Sequence, residues 1–254
     1  MAQAIDNHIV VENLTMKYGD FLIQRDLNFA IRRGDVFVIM GGSGCGKSTL
    51  LKHLIGLYEP AEGRVLYNNN SFWGSSEEER GALLRRMGIL YQKGALWTSM
   101  TLAENVAMPI RQYTRRSEGE INDIVAYKLA LVGLSGFEDY YPSEISGGMQ
   151  KRAGLARAMA LDPEVLFFDE PSAGLDPVSS KLLDDLIVEL NTSTGATVVV
   201  VTHELPSIFA IAKNSIFLDA DTKTSIAFGP PKELLERSRD PKVIEFLTRG
   251  ERQG

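Results

Sequence analysis

Val36-Phe37-Val38-Ile39-Met40 runs directly into Gly41-Gly42-Ser43-Gly44-Cys45-Gly46-Lys47-Ser48-Thr49, and Leu50-Leu51-Lys52-His53-Leu54 follows. An apolar run, a glycine-rich turn and a second apolar segment read as strand, loop and helix. The loop has the G-x-x-x-x-G-K-[ST] spacing of a phosphate cradle. Glycines let consecutive backbone N–H groups turn inward on an anion, and the following helix points its positive dipole end at the same charge. Lys47 is expected to reach the β- and γ-phosphates and the Ser48 hydroxyl to hold Mg²⁺. The stretch therefore predicts an α/β fold with a site for a nucleoside triphosphate.

Composition bounds the rest. At 254 residues, 44% hydrophobic and 24% charged, the chain has room for one α/β domain with a smaller subdomain, or for two compact domains. A formal charge of −6 and the lack of a basic stripe make nucleic acid a poor partner. The longest apolar runs, around Val36–Met40, Val165–Phe168 and Val198–Val201, are too short to cross a bilayer. The first residues lack the charged-then-apolar layout of a signal peptide. Any work at a membrane is thus expected to proceed by docking onto something embedded there. A single cysteine, Cys45, excludes an internal disulfide and suits a reducing cytoplasm. Its place in the loop predicts thiol alkylation that ATP protects against.

Before the loop, Val10–Leu14, Phe21–Ile23 and Leu27–Ile31 read as short strands of an antiparallel sheet, split by Gly19-Asp20 and Arg25-Asp26. Met87–Tyr91 reads as another strand. From Thr101 to Ala160 the pattern turns helical, with Leu102, Val106 and Ile110, then Ile121, Ile124, Val125, Leu129 and Val132 at helical spacing. Strand runs resume at Val165–Phe168, Thr197–Val201 and Ser215–Leu218, with helical segments near Val178–Leu190 and Leu205–Ala212 between them. Two terminal helices are expected over Lys232–Ser238 and Pro241–Arg249. Ser75–Arg80 reads as a solvated helix start without function.

The run Val165-Leu166-Phe167-Phe168-Asp169-Glu170 delivers two carboxylates at the end of a buried strand, where open α/β sheets bind ligands. Asp169 is expected to complete the Mg²⁺ shell with Ser48, and Glu170 to polarise an attacking water. Further on, Ser146-Gly147-Gly148 precedes the helix expected over Lys151–Leu161 and makes a second anion-ready helix start. One chain needs only one phosphate cradle, so the second suggests a composite site shared between two copies.

Taken with Gln92, Ala173-Gly174-Leu175-Asp176 and His203, these motifs resemble the ATP-binding-cassette family, in its order and spacing, over essentially residues 8–235. The resemblance implies a P-loop NTPase fold with a mixed sheet core, an N-terminal antiparallel β subdomain and an inserted helical subdomain. The cassette would span 8–238, with the helical subdomain at about 97–162 and a tail at 239–254. By the same resemblance Tyr18 stacks on adenine, and Gln92 reaches Mg²⁺ and the attacking water. Ser146, Gly147 and Gly148 close over the γ-phosphate of the other subunit. Asp176 lies in the loop crossing the dimer, and His203 contacts the γ-phosphate and orients Glu170. Where the family commonly has glutamine after S-G-G, this chain has Met149, which removes an amide but keeps the serine and the helix-end N–H groups.

Within that family, Tyr91-Gln92-Lys93-Gly94-Ala95-Leu96-Trp97-Thr98-Ser99-Met100, Pro142–Met149 and Asp240–Leu247 resemble the ATPase subunits of Mce/Mla-type bacterial lipid transporters. This implies an ATPase on the cytoplasmic face of the inner membrane that drives movement of phospholipid, or a related hydrophobic substrate, between inner and outer membranes. The implied partners are a second copy of the chain, integral-membrane permease subunits, a periplasmic substrate-binding (MCE) ring reached through the permease, and a small cytoplasmic regulator on the tail. Ala95, Leu96, Trp97, Met100 and Met108 are the candidates for lining the permease groove, and Phe246 and Leu247 could pack on the second subunit or on their own domain. Alternatives are a transporter of another substrate, a non-transport ATPase of the same architecture, and a module that senses ATP without cleaving it.

Overall fold

Alternation along β3 (Val36–Gly41) decides which layer covers each face of the central sheet. In the computed structural model, which describes residues 6–92 and 94–249, every residue of that strand is buried. Phe37 and Ile39 face one hydrophobic core, and Val36, Val38 and Met40 face another. Side chains two apart share a face, so a strand covered on both sides must be apolar throughout.

The first core lies under an antiparallel sheet. β1 (Asn7–Tyr18) and β2 (Phe21–Arg32) pair along their length. The sequence suggested two strands where β2 is one. Asp26 adopts a left-handed backbone (φ 52°), and irregular register lets the ladder continue past Arg25-Asp26, so the polar pair bends the strand without ending it. After β3, α1 (Lys47–Leu54) packs beneath this sheet. β4 (Glu62–Tyr67) and the two-residue β5 (Asn70–Ser71) complete it in the order β2-β1-β4-β5. Neither β4 nor β5 was legible in the sequence. Glu62-Gly63-Arg64 is exposed, so half of β4 carries no apolar alternation.

α2 (Glu77–Leu84) leads to β6 (Met87–Leu90), the edge of the central sheet. The helical layer follows: α3 (Leu102–Tyr113), α4 (Glu118–Leu131), a 3₁₀ turn at Pro142–Glu144 and α5 (Gly147–Ala158). Ser76, Thr101 and Ser117 each begin a capping box with the glutamate three residues on, which sets where α2, α3 and α4 start. α5 begins at Gly147, earlier than the sequence suggested. Ser146 caps it by accepting from Met149 N–H, so the glycines belong to the helix itself.

The chain then returns through β7 (Val165–Asp169), α6 (Pro177–Thr194), β8 (Thr197–Val201), α7 (Leu205–Ile211), β9 (Asn214–Asp219) and β10 (Thr224–Gly229). The sheet order is β10-β9-β3-β8-β7-β6, parallel except for the β9–β10 pair. β10 was not foreseen because it is a half-buried edge strand of mixed composition. α8 (Pro231–Arg237) and α9 (Pro241–Leu247) close the described chain. Val243 and Leu247 of α9 are buried in the same core as α3 to α7, and Phe246 meets Phe217 edge-on, so the tail packs on its own domain. Lys242 secures it by donating to Asp219 and Asp221, holding the Asp219 carboxyl down to about 2. No helix among the described residues is long and apolar enough to cross a membrane.

Candidate nucleotide site

At the end of β3 the backbone turns through conformations that only glycine accepts easily. Gly41 has φ 145°, and an added Cβ would sit 2.3 Å from Leu218 O; Gly46 has φ 99°, and its Cβ would sit 2.6 Å from Ile23 Cγ2. Gln24, fully buried inside β2, donates to Cys45 O (2.7 Å) and Asp219 O (2.9 Å) and fixes the loop from below. No side chain caps the start of α1, whose first N–H groups remain available to an anion. Lys47 folds along the loop and donates to Gly41 O (3.0 Å) and Gly42 O (2.9 Å).

β7 lies two strands from β3 and ends at the same edge. Its Asp169 accepts from Ser48 Oγ at 2.9 Å. A hydroxyl and a carboxylate oxygen form the hard-oxygen set that suits Mg²⁺. Glu170 takes a left-handed backbone (φ 49°), held by its N–H donating to Val201 O (2.8 Å), and this turn swings the carboxylate out of the sheet. His203 Nδ1 lies 2.8 Å from Glu170 Oε1, whereas Oε2 is buried and has no hydrogen-bond partner among the described residues. One carboxylate oxygen is thus oriented and the other left free to accept.

A cavity of about 840 Å³ opens over the loop. Gly41, Gly42, Ser43, Gly44, Gly46, Lys47, Ser48 and Thr49 form its floor, with Glu170 and His203 on one side. Tyr18, Phe21 and Ile23 from the β1–β2 hairpin stand on another; Tyr18 is half exposed and meets Tyr58 edge-on. Leu205 with Glu245, Phe246 and Arg249 of the tail complete it. The sequence did not point to Phe21, Ile23 or the tail residues at this site, since nothing local ties residue 249 to residue 44. Gln24 left a signal: a polar residue at an inward position of an apolar strand.

Other expected site residues lie elsewhere in the single chain. Gln92 is exposed and does not line the cavity, although the Asp169 charge is close enough to help burial push the phenol of neighbouring Tyr91 up. Ser146 and Gly147 are exposed and Gly148 half-buried at the start of α5, outside the cavity. Asp176 caps α6, accepting from Val178 N–H and Ser179 N–H, and hydrogen bonding from the Ser179 side chain, then from its N–H, lowers the Asp176 pKa. Cys45 is 1% exposed, with burial pushing its thiol up. The loop turns its carbonyl and side chain inward, and this overturns the expectation of a reactive thiol.

The molecule is similar to solved ATP-binding cassettes. A dimeric cassette in a post-hydrolysis state, bound to ADP and Pi, superposes with a TM-score of 0.78 at 29% identity, covering 87% of this chain and 97% of that one. A Clostridium perfringens protein that is part of the ABC transporter complex cbiONQ gives a TM-score of 0.83 at 29% identity, over 96% and 97% of the two chains. A family model described as ABC transporter matches residues 24–173. The "Intermembrane phospholipid transport system ATP-binding protein MlaF" of Haemophilus influenzae is 43% identical over 98% of this chain and 92% of its own length. The "Probable ribonucleotide transport ATP-binding protein mkl" of Mycobacterium tuberculosis is 44% identical over 94% of this chain, which spans only 66% of that relative.

Proposed function

The chain belongs to the ABC transporter family, and from that membership we propose that it is the ATPase subunit of a transporter that moves phospholipid between inner and outer membranes. Two copies close head to tail on two ATP molecules, so that the Ser146–Gly148 helix start of each copy completes the cradle of the other. Within each cradle Lys47 and the loop N–H groups bind the phosphates, and Ser48 and Asp169 would hold Mg²⁺, which would supply neutralisation of the phosphate charge. Glu170, oriented by His203, accepts a proton from the attacking water. Tyr18 offers its ring face to the base. Gln92 joins this set when the subunit closes, and Asp176 approaches the partner across the dimer.

Support for this reading comes above all from one arrangement: the Glu170–His203 pair stands over the cradle, while the second anion-ready helix end of the same chain lies outside that cavity. A site so divided needs a second copy.

Permease subunits would dock in the groove between the sheet edge and the helical layer, lined by Leu84, Met87, Ile89, Met108, Tyr113 and Arg157. Of the five residues the sequence offered for this surface, only Met108 lines the groove. Arg157 joins it to the Gln92 loop by donating to Ala95 O and Gly94 O. Through the permease the complex would reach a periplasmic MCE ring, with this subunit on the cytoplasmic face and a small regulator on its surface. Cargo never touches this chain, so the ribonucleotide named for the Mycobacterium relative is tested alongside lipid.

The experiment compares wild type with Glu170→Gln. With ATP and Mg²⁺ the variant is expected to accumulate as a nucleotide-bound pair in light scattering, with turnover reduced roughly 100- to 10,000-fold. Partners copurified in mild detergent should carry phospholipid. Undiminished turnover, or a variant that stays single at saturating ATP, overturns the mechanism; membrane partners that carry a ribonucleotide other than the ATP or ADP of the cradles, in place of lipid, overturn the cargo.

A further inference from the structure

α5 carries three cations that hold backbone carbonyls. Arg152 donates to Val132 O and Gly133 O, and Arg157 to Gly94 O and Ala95 O. Lys151 reaches the catalytic turn itself: its Nζ donates to Glu170 O at 3.3 Å and Ala173 O at 3.2 Å. The residue is only 6% exposed and forms no ion pair among the described residues. Burial lowers its pKa, and the Glu170 charge opposes that shift. Burying an ammonium without a counter-charge is unfavourable unless its N–H groups are well used. Here they bridge the two ends of the turn Glu170-Pro171-Ser172-Ala173, which begins at Glu170 in its left-handed conformation.

The same lysine sits three residues beyond Gly148 on one rigid helix. Any displacement of the Ser146–Gly148 start is therefore carried to Lys151, and from there to the backbone that aims Glu170. We propose that Lys151 is a positioning residue that makes cleavage at a chain's own cradle depend on where its own serine–glycine segment sits. This rests on the head-to-tail reading given above: that segment grips the partner's nucleotide, so Lys151 reports the occupancy of one site to the carboxylate of the other. Arg152 and Arg157 hold loops that carry no carboxylate of the site, which sets Lys151 apart from them.

The test uses the full chain carrying Lys151→Met, Lys151→Arg, Glu170→Gln, and the Lys151→Met/Glu170→Gln double substitution. A misaimed carboxylate should cost Lys151→Met roughly 10- to 100-fold in kcat, with KM for ATP within about threefold of wild type. Lys151→Arg, which still donates to both carbonyls, should recover kcat to within about threefold. Because the lysine acts through Glu170, the double variant should turn over no more slowly than Glu170→Gln alone. Unchanged kcat in Lys151→Met, losses that multiply in the double variant, or a folded Lys151→Arg as slow as Lys151→Met would each overturn the assignment. Should Lys151→Met not fold, the Arg variant decides: near-normal kcat supports the role, and a large loss rejects it. ATP-promoted pairing of Glu170→Gln keeps the two proposals apart, since its absence refutes the dimer and its presence with unaltered Lys151→Met kinetics refutes only the lysine.

Discussion

At Cys45 a single side-chain orientation reverses what the loop's sequence suggests. A thiol within a phosphate cradle reads as accessible, yet its Sγ would lie 2.8 Å from a Cβ added at Gly41, and the residue is sealed under the loop. Thiolate, the reactive form, is suppressed by burial as well as shielded. Maleimide labelling at pH 7 is therefore expected to proceed no faster than the chain opens, with ATP acting only through global stability. Rapid labelling of folded protein that ATP blocks locally would show the thiol to be exposed. Glu170 illustrates the complementary case: its chemistry was legible in Phe168-Asp169-Glu170, whereas its left-handed backbone and its contact with His203 were not. The strand ends at Asp169, and the turn that follows is fixed by the Val201 carbonyl on the neighbouring strand and by Lys151 of α5.

Among the elements, α5 holds three separate loops through Lys151, Arg152 and Arg157, and its small residues matter as well as its cations. Gly154 lies where an added Cβ would meet Leu90 Cδ1 at 2.8 Å, Gly94 O at 3.0 Å and Gly94 Cα at 3.2 Å. Two of these atoms are backbone of the loop following Gln92 and cannot rotate away. Gly154→Ala gains helix propensity but must push that loop aside, and overpacking of this kind costs about 1–3 kcal/mol. The urea midpoint should fall accordingly, together with ATPase activity; an unchanged midpoint would mean that loop and helix are not in close contact. Periodicity in the sequence found α3 and α4 because their apolar stripes are clear, with Val106, Ile110, Ile121 and Leu129 all buried. It placed the start of α5 late, because Gly147 and Gly148 are poor helix formers that Ser146 overrides as a cap.

For the whole molecule, His8 ties the antiparallel sheet to the central one. Its Nδ1 lies 2.7 Å from Thr197 Oγ1 on β8, and Arg33 Nη1 donates to Nε2 at 3.3 Å, so the ring is neutral with its proton on Nδ1. Burial, reinforced by the Arg33 charge, lowers its pKa from 6.5 to about 4. The unfolded chain therefore takes up a proton below about pH 6.5 that the folded chain refuses until about pH 4. Stability contributed by the neutral ring is present above pH 6.5 and drains away as the pH falls through this window, about 3 kcal/mol in all. Urea unfolding of wild type and His8→Gln should diverge least at pH 4.5 and most at pH 7.5; parallel curves would mean that the ring titrates alike in both states. The sequence by itself determined the cradle, the carboxylate pair and the parallel strands, because each depends on residues that are neighbours in the chain or on short-period burial. Tertiary structure alone decided that the tail lies beside the nucleotide cavity, that Gln24 and Lys151 brace its two halves, and that the serine–glycine segment lies outside it. Those relations join residues as much as two hundred positions apart or more through packing, and no local pattern of side chains encodes a distance of that kind.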